Sequence, residues 1–120
     1  MTRSTVLVRP EVRRRKDQTP RVRPGTRELA AIITNSRMFE FHKPLRVTDY
    51  EERGVWIHEC KPLDILAYAE SREDSRRSFI DYFESDWDTI AQEDDSKLTL
   101  DARELKRKYL KLVKSVRPVL

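Results

Sequence analysis

The thirty residues from Gly54 to Phe83, GVWIHECKPLDILAYAESREDSRRSFIDYF, constrain the fold of this chain more than any other stretch. Val55 to Cys60 and Ile65 to Ala69 are short apolar-rich runs of strand length, separated by the loop-forming Lys61-Pro62-Leu63-Asp64. Ser71 then stands three residues before Asp74, a capping-box variant with the shorter acid, at the head of an acidic first helical turn. A strand-strand-helix unit this compact buries one sheet face beneath one helix stripe. The rest of the chain must be arranged around it.

On the N-terminal side, Phe39 and Phe41 alternate with Glu40 and His42, and Leu45 and Val47 alternate with Arg46 and Thr48. This period of two is interrupted at Pro44, which suits an edge strand. With the turn Glu51-Glu52-Arg53-Gly54, the pattern predicts a three-stranded antiparallel meander. After Ser71, apolar residues at Phe79, Ile80, Phe83, Trp87 and Ile90 recur at helical spacing, and Glu93-Asp94-Asp95-Ser96 ends that helix. Thr99 caps a second helix, expected from Leu100 to Val116 and closed by Pro118, with an apolar stripe that includes Leu105, Tyr109 and Leu112. The expected class is α+β, two helices packed on one sheet. Trp56 or Ile57, Phe79, Phe83, Trp87, Leu105, Tyr109 and Leu112 are its expected core.

Residues 1–37 read differently. They hold three of the prolines and the run Arg13-Arg14-Arg15-Lys16, with only Val6-Leu7-Val8 to bury at the start, so a largely disordered basic arm is expected. Thr26 ahead of Arg-Glu-Leu-Ala-Ala-Ile-Ile is read as the cap of one short helix ending by Asn35. The folded domain is placed at 38–117, and a chain begun at Met38 is expected to keep nearly the full stability. Charged and hydrophobic residues each make up 38% of the 120 residues, which limits the core to a small one.

Charge is arranged in blocks: +6 over residues 1–28, −7 over 70–95 and +6 over 97–117. The acidic block places Glu73, Asp74, Asp81, Glu84, Asp86 and Asp88 on the first helix, a candidate surface for a basic protein partner. The basic block places Arg103, Arg107, Lys111 and Lys114 along the second, and this row together with the basic N-terminal arm is the alternative candidate, a surface for nucleic-acid phosphates. Pairing of the two blocks with each other would leave little free field. No apolar run reaches the length of a membrane span, and the single Cys60 has no intramolecular disulfide partner, which points to a reducing, cytoplasmic setting. A homo-oligomer is compatible with all of this.

His58 and Cys60 lie two apart in one strand and so share a face with Trp56, while Val55, Ile57 and Glu59 share the other. With His42 the only other histidine and no second cysteine, the pair falls short of a zinc ligand set, and it lacks the third group and oxyanion loop of a cysteine nucleophile. No catalytic, metal or cofactor site is read from the chain. A non-enzymatic protein is expected.

Gly54-Val55-Trp56-Ile57, then Lys61-Pro62-Leu63-Asp64-Ile65, then Tyr68-Ala69-Glu70-Ser71-Arg72-Glu73-Asp74-Ser75 together resemble the small HicB-like proteins of prokaryotic toxin-antitoxin systems. The likeness spans roughly residues 39–90. The family usually has glycine at the position of Ala69 and Glu-Glu-Ala where this helix begins Glu73-Asp74-Ser75. The resemblance implies a degraded ribonuclease-H-like sheet without catalytic carboxylates. It further implies a cognate RNA-cleaving toxin as the partner to be bound and neutralised.

Overall fold

The computed structural model describes residues 25–119, so the basic run and the Val6-Leu7-Val8 cluster lie outside the described residues. Five strands and two helices follow in the order β1 (Gly25–Ile33), β2 (Arg37–Glu52), β3 (Val55–Cys60), β4 (Ile65–Ala69), α1 (Arg72–Asp86), α2 (Leu100–Leu112) and β5 (Val113–Pro118). All strand pairs are antiparallel. The protein is α+β, with two more strands than the meander expected from the sequence.

The meander itself is β2-β3-β4. Arg53 and Gly54 both have positive φ (51° and 81°), the two-residue hairpin geometry whose twist matches that of the flanking strands. Lys61–Leu63 make one 3-10 turn between β3 and β4, and Asp64 closes it in the left-handed region. Both helix caps form as expected: the Ser71 hydroxyl accepts from the Asp74 N–H at 3.1 Å, and the Thr99 hydroxyl from the Ala102 N–H at 3.1 Å. The first helix runs on past Asp86 as a π-helical turn, Trp87–Ala91.

Three expectations are corrected. The segment after Thr26 is not a helix but strand β1, which pairs with β2 from Gly25↔Asp49 to Ile33↔Met38. Its alanines and glutamate favour a helix locally, but β2 offers a long open edge, and tertiary pairing overrides a weak propensity. β1 also lies on the N-terminal side of the domain boundary expected at Met38. The second helix stops at Leu112, and Val113–Pro118 turns into β5, paired with β2 from Arg37↔Pro118 to Phe41↔Val113. Val113 and Val116 are β-branched, and Arg117 precedes a proline, which disfavours helix. Finally, β2 is a central strand rather than an edge. Pro44 is tolerated because residues 41–44 fall where the β1 register shifts, leaving its missing N–H outside the ladder.

With β1 on one side of β2, its other side is divided: β5 takes residues 37–41 and β3 takes residues 48–52. Helix α1 lies across β3 and β4, and α2 leans on the π-helical turn, β2 and β5. Between them Phe83 is fully buried, with its ring centroid 5.2 Å from Phe39, 5.3 Å from Tyr109 and 5.7 Å from Phe41. Phe79 and Tyr109 are buried as expected, and Trp87, Leu105 and Leu112 pack partly buried against the cluster. Of the pair Trp56 and Ile57, Ile57 is the buried one, on the opposite sheet face, directly between Tyr50 and Tyr68.

Candidate functional site

Antiparallel register places Gly25, Asp49, His58 and Ala67 in one row across β1, β2, β3 and β4, on the face that α1 covers. Asp49 follows Leu45 and Val47 at the core-facing positions of β2, so a carboxylate enters where the pattern calls for an apolar side chain. Asp49, His58 and Ser75 are all buried. His58 lies between the other two: its Nδ1 is 2.5 Å from the Ser75 hydroxyl, and its Nε2 is 3.6 Å from Asp49 Oδ2. Gly25 leaves space for the carboxylate, since a Cβ there would come within 3.0 Å of Asp49 Oδ1.

The carboxylate is met by cations at the rim. Arg72 donates to Asp49 Oδ2 from Nε at 3.2 Å and from a terminal nitrogen at 3.1 Å, and Arg27 stands 3.9 Å away. Arg72 also lies over the Trp56 ring, 5.2 Å from its centroid. Arg76, one turn along α1, completes the rim. Burial drives the His58 pKa down to about 4, and the arginines add to the effect against the attraction of Asp49. The imidazole is therefore neutral near neutral pH.

This Asp-His-Ser row differs from a nucleophilic triad in its geometry. Ser75 is fully buried, which keeps solvent-borne carbonyl groups from its hydroxyl, and the aspartate sits beyond direct hydrogen-bond distance of the ring. Cys60, also fully buried, has its thiol pushed up to about 11 by desolvation, far from the thiolate a nucleophile requires. Among the described residues, no group of three or more His, Cys, Asp or Glu side chains converges as a metal site would. No described helix is long and apolar enough to cross a membrane.

The neutral, buried His58 couples stability to pH. Its folded pKa lies below the ordinary 6.5, so the unfolded chain takes up the proton first. This contribution is fully present above about pH 6.5 and is lost as pH falls toward 4, about 3 kcal/mol in all. Urea unfolding across that window should show His58→Gln losing less stability than the parent protein. Parallel losses in the two proteins would mean that another group titrates.

The candidate acidic surface is partly engaged within the molecule. Glu84 Oε2 accepts from Arg37 Nε at 2.9 Å and from the Thr34 hydroxyl at 3.1 Å, and Asp88 pairs with Arg37 at 2.8 Å, so α1 clamps the β1–β2 turn. Asp86 is buried and accepts from the Tyr109 hydroxyl at 3.1 Å, which removes it from the surface. Glu73 and Asp74 face Arg77 across exposed pairs of 3.9 and 3.1 Å, and Asp81 is exposed. Among the described residues, cations of the basic block reach the acidic one where the loop before α2 bonds that helix: Lys106 pairs with Asp95 at 2.9 Å, and Arg103 donates to the Asp95 carbonyl at 2.9 Å. Arg107, Lys111 and Lys114 are exposed and make no close ion pair among the described residues, Arg107 acting on Asp95 only at longer range, and Lys114 lies on β5 rather than on the helix.

The sequence reading overlooked Asp49, Ser75, Arg27, Arg72 and Arg76. Only Asp49 carried a local signal, an acid in phase with Leu45 and Val47. No family model, characterised protein or solved structure matches the chain.

Proposed function

We propose that this chain is a non-enzymatic binding module which, like the HicB-like antitoxins it resembles, captures and neutralises a basic RNA-cleaving toxin. The observation that supports this reading is the outer side of α1. Asp74 and Asp81 lie seven residues, two helical turns, apart on α1 and so share one face, and Asp88 follows on the π-helical turn that continues the helix. Asp74 and Asp88 are 60% and 50% exposed, and Asp81 is exposed as well. Glu73 flanks them, whereas Glu84 and Asp88 both bond Arg37, Glu84 also holding Thr34. Such a face favours encounter with a basic partner.

A second reading has its own observation. Arg107, Lys111 and Lys114 carry positive charge that α1 does not neutralise, beside the half-exposed Leu110, and Arg103 extends the row. This surface suits nucleic-acid phosphates.

One set of variants separates the two. Co-expression with the basic RNA-cleaving product of a neighbouring gene should restore growth. Lysine at positions 74 and 81, which leaves the Arg37 clamp intact, should abolish that rescue without changing the circular dichroism spectrum. Rescue that persists in the double variant, or no complex with the purified toxin, refutes the antitoxin reading. A salt-sensitive gel shift that Arg107→Glu with Lys111→Glu abolishes would establish the second.

A further inference from the structure

On the helix-covered side of the sheet, beside the row containing Asp49 and His58, a groove of about 270 Å³ runs between β1 and α1. Leu29, Ile32, Val47, Phe79 and Ile80 make its apolar walls, and at one end it reaches Arg27, Arg76, Asp49 and His58. The same four residues line the adjoining wider cleft, together with Ser71, Arg72 and Glu73. The groove is thus a small apolar trough with a polar mouth.

The charge at that mouth is unbalanced. Asp49 is the only acid lining the trough, against Arg27 and Arg76, so the lining carries one excess positive charge. Asp49 gives its close contacts to Arg72, and Arg27 stays 3.9 Å away. Arg76 has no acidic partner among the described residues. His58 is neutral and adds no charge. Arg72 and Glu73 offset one another in the outer cleft, so the single excess charge is the same by either count.

We propose that this groove binds a linear aliphatic monocarboxylate, its carboxylate held by Arg27 and Arg76 and its chain lying along Leu29, Ile32, Phe79 and Ile80. Three features select this class. A guanidinium fork matches a carboxylate in bidentate geometry. One excess positive charge matches one negative headgroup. The volume lies near the lower bound of small-molecule pockets, which suits a short hydrocarbon chain better than a ring system or a folded partner.

Octanoate is the probe. Titration into the full chain, followed by calorimetry and by the NMR shifts of His58, Phe79 and Ile80, should show saturable binding. Octanol, with the same chain and no charge, should bind at least about tenfold more weakly, as should octanoate to Arg76→Gln, since each loses a charge-assisted contact. Arg76 makes no ion pair among the described residues, so that variant should keep the parent melting temperature. Octanol binding as tightly as octanoate, an unchanged affinity in Arg76→Gln, or no saturable octanoate shift would each overturn the proposal. A peptide with a free C-terminal carboxylate and apolar last residues that outcompetes octanoate would overturn it in favour of strand addition at β1. Asp74, Asp81 and Asp88 line neither the trough nor its mouth, so the toxin-binding reading stands or falls separately.

Discussion

A chain begun at Met38 should be unfolded, or melt far below the full-length protein, because it lacks β1. The alternation that starts at Met38 makes the opposite result the expectation from sequence, but β1 is hydrogen-bonded along β2 at both ends of its length. Ile32 is 3% exposed, directly opposite Phe39, and Leu29 faces Leu45 across the ladder. Removing β1 uncovers Phe39, Leu45 and Val47 on one side and forfeits burial of Ile32 itself, at about 1.5 to 3 kcal/mol for each large side chain re-exposed. Two or three such losses, with the ladder hydrogen bonds, approach the whole stability of a small domain, about 5 to 15 kcal/mol. Thermal melts followed by circular dichroism would decide the matter, with a chain begun at Gly25 as the control that keeps the strand. Equal melting of the Met38 and Gly25 chains would show that β1 adds nothing to the fold.

Phe83→Ala should cost about 3 to 5 kcal/mol. The ring is fully buried where the two layers meet, touching Phe39 and Phe41 from the sheet and Tyr109 from α2. Phe39 in turn stands edge-on to Trp87, at 5.7 Å and 76°. Rigid aromatic rings border the void that alanine would leave, so collapse would be incomplete and the cavity cost would persist. Phe83→Leu, which keeps most of the volume, should lose much less, about 1.5 kcal/mol or below. Urea unfolding midpoints of the two variants provide the check, and equal losses would contradict a cavity mechanism.

What could be read in the sequence was whatever its own neighbourhood dictated. Ser71 and Thr99 announce their helices because a cap is a contact over three residues, and Arg53-Gly54 announces its hairpin because the turn demands positive φ. β1 and β5 went unread for the converse reason: Leu29-Ala30-Ala31 and Tyr109 to Val116 are compatible with helix, and only the distant edges of β2 decide between the alternatives. The candidate site follows the same rule. Asp49 stands out in its own strand, but Arg27, His58 and Arg76 belong to three separate elements, and only the register Asp49↔His58 and the placement of α1 bring them together. The acidic helix was legible as composition, while the engagement of Glu84 and Asp88 by Arg37 was not, because that arginine lies 47 and 51 residues away.

The division of one side of β2 between β3 and β5 bears on the order of assembly during synthesis. β3 is joined to β2 by a two-residue turn and can pair as soon as it emerges, whereas the Glu40 side chain is bonded by Ser115, 75 residues downstream. Until β5 leaves the ribosome, the side of Arg37 to Phe41 that it pairs presents unsatisfied backbone groups, and closing so long a loop is an intrinsically late event. Both helices can be formed by then, and Phe39 needs only α1 to begin packing. β5 therefore acts as a clasp on a sheet already assembled, and the nascent chain stays open to pairing with other strands until it arrives.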